Sequence, residues 1–268
     1  IASATTTTAD LQVVVESRLD THTRSYQLRR GVKTEHYFDS LAESPSFTSQ
    51  VHLMKTGPHD VNTAVLFPRD HVLGSKKLPV MMRPYGGPHG PQVLNGALIY
   101  AADQWFADQG FVVIIADNRG TGGRGPAWDH SIYQNFVAAV IEDQVSAVAA
   151  VAEHFPDDVD VNRVGVTGWS FGGYLSALAV LERPDVFHAA VAGAPVTEWL
   201  WYDTAYTERY LGHPEKFPEI YTDHSLISKA DQLERPLMLV HGLADDNVVA
   251  AHSLALSGAL LANKKPHT

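Results

Sequence analysis

The stretch Gly168-Trp169-Ser170-Phe171-Gly172 places one serine between glycines, where an apolar run, Arg163 to Thr167, gives way to the helix-forming segment Tyr174 to Leu181. In a G-x-S-x-G turn the serine stands on a sharp strand-to-helix bend, and the glycines are needed because a Cβ there would collide with the neighbouring chain. A serine hydroxyl is a poor nucleophile at neutral pH. A base must take its proton, and a third group must hold that base. In sites built on such a turn the order along the chain is Ser, then Asp or Glu, then His. The acid falls in His241-Gly242-Leu243-Ala244-Asp245-Asp246-Asn247, with Asp245 and Asp246 both open at this level. Asp246 is also a natural cap for a following helix. Only His252 and His267 lie beyond the acids. His252 falls in a predicted helix, where a surface histidine is the expectation, and His267 is penultimate, with no following structure to hold its ring. The sequence therefore supplies a nucleophile and an acid, and the base is expected beyond Thr268.

The elements that must carry these residues alternate. Strand-like segments are predicted at Gln50–Lys55, Asn62–Phe67, Leu78–Arg83, Phe111–Ala116, Ala189–Ala194 and Pro236–His241. Helices are predicted over Leu98–Gln109, Asn135–Phe155 and Val249–Leu261, the second because Val137, Val140, Ile141, Val145, Val148 and Val151 fall on one face. Strands alternating with helices of this length imply a mostly parallel sheet covered on both faces, with its site at the carboxyl ends of the strands. Segments 85–88, 117–125, 168–173 and 241–247 each follow a strand and should meet on one rim. Residues 1 to about 45 differ, with alternation at Leu11, Val13 and Val15 and polar turns, and read as too few strands for a module of their own.

Composition narrows the partners. The 268 residues carry a formal net charge of −10 and are 45% hydrophobic, which fits a substantial core and excludes a basic nucleic-acid or anionic-membrane surface. There is no cysteine, so disulfides, thiolate metal sites and cysteine nucleophiles are excluded. Without a signal-like or membrane-spanning run, a cytoplasmic location is favoured. The fourteen histidines lack metal-ligand spacing, so no metal is expected. Gly120-Thr121-Gly122-Gly123-Arg124-Gly125 mimics a dinucleotide loop, but Asp117-Asn118-Arg119 separates it from the strand and Pro126 follows, so no cofactor is expected.

Five motifs in order, Tyr85-Gly86-Gly87-Pro88, Asp117 to Gly122, Gly168 to Tyr174, Tyr202 to Tyr210 and His241 to Asn247, resemble the catalytic domain of the prolyl oligopeptidase family of serine peptidases. The similarity is greatest to its dipeptidyl peptidase IV branch and runs from about Thr48 to the end. It implies an α/β-hydrolase domain over 46–268, with residues 1–45 as the tail of an upstream β-propeller and a hinge. It implies Ser170 as nucleophile and raises Asp245 above Asp246 as the acid, with the histidine about thirty residues further on. Without the resemblance Tyr85 reads equally as an ordinary strand-end aromatic; with it, the Phe171 N–H and the Tyr85 hydroxyl would stabilise the oxyanion. Val196, Trp199, Tyr202, Tyr206 and Val248 would wall a pocket for the residue before the cut bond, and Asn247 would bond a substrate carbonyl. Such an aromatic box suits proline or alanine. The implied partners are peptide substrates and the propeller of the same chain, with a homodimer as a further expectation. The rivals are an acylaminoacyl peptidase, an oligopeptidase, an esterase, or a binding module without catalysis.

Overall fold

The computed structural model describes residues 2–5, 10–43, 45–88 and 90–268; part of the 1–45 segment, together with residue 89, lies outside the described residues. Near the start, β1 (Ala2–Thr5), β2 (Leu11–Glu16), β3 (Ser25–Arg30) and β4 (Lys33–Phe38) form a four-stranded antiparallel meander in sequence order. The segment read as too short for a module of its own is thus one small sheet. β3 and β4 carry little apolar alternation because polar side chains support them: Glu16 accepts from Gln27 (3.1 Å) and Arg29 (3.0 Å), and Arg29 also donates to Gln27 (2.8 Å). The β2–β3 connection rests on the rest of the molecule, with the Arg18 carbonyl accepting the Ala97 N–H at 2.8 Å and His22 bonding Ser49 at 3.0 Å.

The second sheet holds β5 (Val51–Thr56), β6 (Val61–Leu66), β7 (Leu78–Met82), β8 (Val112–Asp117), β9 (Val159–Trp169), β10 (Ala189–Gly193) and β11 (Leu237–Val240). Its seven strands run in the order β11-β10-β9-β7-β8-β6-β5. β5 and β6 form an antiparallel hairpin, β6 is antiparallel to β8, and β7 to β11 are mutually parallel. The helices are α1 (Ala101–Asp108), α2 (Pro126–His130), α3 (Ala138–His154), α4 (Phe171–Glu182), α5 (Thr204–Leu211), α6 (Pro218–His224) and α7 (Ala251–Ala262). Every residue of β8 is buried. Val113 and Ile115 pack with Ala64, Leu66 and Ala107 on the α1 side, while Val112 and Ile114 join Val80, Met82, Val140 and Leu175 on the α3 and α4 side. The apolar run over residues 112–116, ahead of Asp117 at the strand end, is what a parallel sheet covered on both faces requires.

Because β7 to β11 point the same way, the loops that follow them open on one rim, as expected. Buried polar residues fasten that rim. The Asp117 carboxylate accepts the N–H groups of Gln92 (2.7 Å) and Val93 (3.0 Å). Asn118 donates to the Gly86 carbonyl at 2.9 Å and accepts from Gln144 at 2.9 Å. Residues 120–125 lead into the five-residue α2, so those glycines shape a rim loop. At the outer edge Thr268 pairs with β11, donating to Leu237 (3.0 Å) and accepting from Leu239 (2.8 Å). Among the described residues no helix is long and apolar enough to cross a membrane.

Candidate active site

Ser170 occupies the turn between β9 and α4 with φ +59° and ψ −118°. A non-glycine residue at positive φ outside the usual wells costs about 1–3 kcal/mol and persists only where its surroundings impose it. They do so here. The Ser170 N–H donates to the Gly193 carbonyl at 2.9 Å and its carbonyl accepts the Tyr174 N–H at 2.9 Å. The turn is also squeezed against the end of β7. A Cβ on Gly172 would lie 2.5 Å from the Pro84 carbonyl oxygen, and one on Gly168 would lie 2.5 Å from the Gly172 carbonyl oxygen and 2.7 Å from that of Pro84. No side chain fits there, which is the reason for the glycine spacing. The result is a half-buried serine held at the carboxyl end of a central strand.

Phe171, the first residue of α4, has a backbone N–H with no acceptor available inside the helix, and its ring is buried beside Phe136, Tyr174 and Trp199. Tyr85, on the loop after β7, tilts toward it with ring centroids 6.4 Å apart. Burial, with Tyr202 adding to it, raises the Tyr85 phenol above its ordinary pKa, so its hydroxyl keeps a proton to donate.

Asp245 lies on the β11–α7 loop. Its Oδ1 accepts the N–H groups of Asn247 and Val248, both at 3.0 Å, and its Oδ2 lies 3.7 Å from His241 Nε2. Asp246 beside it is exposed. The acid loop and the serine turn are tied through β10: Ser170 bonds Gly193, and the Ala194 N–H donates to the Val240 carbonyl at 2.7 Å.

The aromatic residues gather as one cluster. Trp199 stacks on Tyr206 at 6.3 Å and meets Tyr202 edge-on at 6.0 Å. Val196, Trp199 and Val248 are each only 1% exposed, so the half-buried Tyr202 and Tyr206 are the part of the cluster that solvent reaches. The Tyr202 hydroxyl donates to Asn247 at 3.4 Å, joining the cluster to the acid loop. Burial, then Tyr85 and Tyr210, raises the Tyr206 phenol as well.

Two expectations about histidine are corrected. His252 is not on a helix surface: it is 0% exposed, because its Nδ1 accepts the Thr197 N–H at 3.1 Å and draws the ring inward. His267 is held after all, with Nε2 2.7 Å from Ser257 and Nδ1 3.0 Å from the Lys265 carbonyl. It lines a cavity of about 630 Å³ with Ala189 and Leu237, at the amino ends of β10 and β11 and away from the rim. His241 and Ser253 also stand beside the site, without having been expected there. The signal for His241 was its place at the strand end, four residues before the acid; Ser253 offered none. Among the described residues no group of three or more His, Asp or Glu could hold a metal ion.

Comparison with known proteins follows the same lines. Residues 100–268 match the model of the Prolyl oligopeptidase family. The chain is 39% identical over 233 residues to human dipeptidyl peptidase 8, covering 85% of this chain and 24% of that protein. It is 32% identical over 190 residues to human prolyl endopeptidase FAP, covering 70% of this chain and 25% of that one. It thus spans about a quarter of the length of these curated relatives. The crystal structure of Porphyromonas gingivalis dipeptidyl peptidase 4 superposes with a TM-score of 0.88 at 28% identity, over 99% of this chain and 38% of that one. The seven-stranded body is an α/β-hydrolase fold, and the chain belongs to the prolyl oligopeptidase family.

Proposed function

We propose that this chain is the catalytic domain of a serine peptidase that cleaves peptides through an acyl-enzyme, releasing dipeptides after proline or alanine. Ser170 Oγ attacks the carbonyl while a histidine takes its proton. The same histidine returns the proton to the leaving amine, and water then releases the acyl group. The Phe171 N–H and the Tyr85 hydroxyl receive the developing oxyanion. Val196, Trp199, Tyr202, Tyr206 and Val248 bound the pocket for the proline or alanine side chain, and Asn247 bonds a substrate carbonyl.

Asp245 orients the histidine, which we assign to chain following Thr268. Both backbone bonds of Asp245 fall on Oδ1, which leaves Oδ2 for an imidazole N–H. The nearby histidines are engaged elsewhere. His252 Nδ1 is taken by backbone, His267 sits at the other end of the strands, and His241 Nε2 is 2.7 Å from the Val248 carbonyl. The pairing of Thr268 with β11 supports a continuing strand at this edge. The meander β1–β4 is assigned to the last part of an upstream β-propeller.

The observation that carries the reading is the imposed backbone of Ser170 between glycines at which a Cβ would press on backbone carbonyl oxygens. The test is turnover by the full-length protein of a glycyl-prolyl anilide, an acetyl-alanyl anilide and an N-blocked internal-proline amide. Preference for the first is expected. If all three are inert while short-chain esters are hydrolysed, the peptidase assignment is wrong.

A further inference from the structure

The first turn of α7 touches both halves of the proposed site. His252 and Ser253 are adjacent, and neighbouring helix residues diverge by about 100°, so their side chains reach different partners. His252 Nδ1 accepts the N–H groups of Thr197 (3.1 Å) and Glu198 (3.3 Å), and its carbonyl accepts the Thr197 hydroxyl at 2.8 Å. This holds the 196–199 segment, which carries Val196 and Trp199. Ser253 Oγ lies 2.7 Å from His241 Nδ1. The other nitrogen, His241 Nε2, lies 2.7 Å from the Val248 carbonyl and 3.7 Å from Asp245 Oδ2. A carbonyl only accepts, so Nε2 carries the hydrogen, and the ring is pinned with that N–H beside the acid.

Packing alone does not account for these imidazoles. A buried polar ring costs free energy unless it is hydrogen-bonded, and His252 Nε2 has no partner among the described residues. An apolar side chain would fill the same space without that cost. What it would lose is the acceptor for two backbone N–H groups of the pocket wall.

We propose that His252 and His241 are positioning residues of the peptidase site. His252 sets the pocket wall at 196–199. His241, oriented by Ser253, sets Asp245 and the 245–248 loop, and the first turn of α7 fixes the two relative to each other. This rests on the reading of the preceding subsection.

Two readouts on the full-length protein separate the roles. Labelling by a small fluorophosphonate needs an activated serine but little of the pocket. The ratio of kcat/KM for glycyl-prolyl and glycyl-alanyl anilides reports the wall. His252→Leu is expected to cut the proline preference about tenfold while slowing labelling far less. His252→Asn, which keeps an acceptor near the Nδ1 position, should restore most of the preference. His241→Leu should slow labelling about 10- to 100-fold with the ratio little moved, and His241→Gln, which keeps a donor toward Val248, should recover part of the rate. Should a leucine variant fail to fold, Thr197→Val and Ser253→Ala each remove one buried hydroxyl without adding bulk. They should show the same split, the first in the ratio and the second in the labelling rate. Readouts that fall together in every variant, or that do not move, overturn the inference. Ser170→Ala keeps the two levels apart: label or turnover surviving in it defeats the peptidase reading itself, whereas an inert Ser170→Ala beside an unsplit series defeats only the positioning roles.

Discussion

Tyr85 is where a single side chain shows the logic of the site. Its phenol is raised by burial first and by Tyr202 second, so it remains a donor across the working pH range. Tyr85→Phe removes the donor and keeps the ring, and in the full-length protein kcat is expected to fall about 10²-fold with KM little changed. An unaltered kcat would remove Tyr85 from the oxyanion site. His252 yields a prediction about stability. Burial, with His241 adding to it, lowers its pKa from the ordinary 6.5 to about 4. The unfolded chain therefore binds this proton more readily than the folded one. The contribution of His252 is complete above pH 6.5 and is lost as the pH falls toward 4. Urea midpoints measured across that window should drop more steeply for the wild type than for His252→Asn. Parallel profiles would mean that the ring is not held neutral.

The turn between β9 and α4 is the element on which everything else depends. Gly168→Ala and Gly172→Ala each drive a Cβ into backbone carbonyl oxygens, and backbone cannot step aside as a side chain can. Each is expected to cost about 1–3 kcal/mol or more, read as a lowered urea midpoint. Midpoints within error of the wild type would show that the turn is looser than described. This element was legible in the sequence because its steric demand forces a fixed residue pattern. β8 and α3 were legible too, the first as an unbroken apolar run and the second as a one-sided valine stripe. β3 and β4 were not, since Gln27, Arg29 and Glu16 hold them by polar bonds that leave no apolar period. α5 was missed because Tyr206 and Tyr210 pack ring against ring, 5.0 Å apart, rather than through an aliphatic stripe. His252 was misjudged for a related reason. Its place in a helix was visible, but the Thr197 N–H that draws it inward comes from a loop 55 residues away.

At the scale of the molecule, the strand order sets which loops become neighbours. The order β11-β10-β9-β7 brings residues 85, 170, 196 and 245 to one rim although long stretches of sequence separate them. Motif order along the chain named the participants, but only pairings such as Ser170 with Gly193 and Ala194 with Val240 define how they are joined. We propose that this rim presents Ser170 as an activated nucleophile when the whole protein is assembled. Fluorophosphonate labelling of the full-length protein, with the adduct located by peptide mass spectrometry, tests it most directly. One adduct is expected, on Ser170, that disappears in Ser170→Ala and is much reduced in Asp245→Asn. An unlabelled protein, or an adduct on another serine that survives Ser170→Ala, would contradict it.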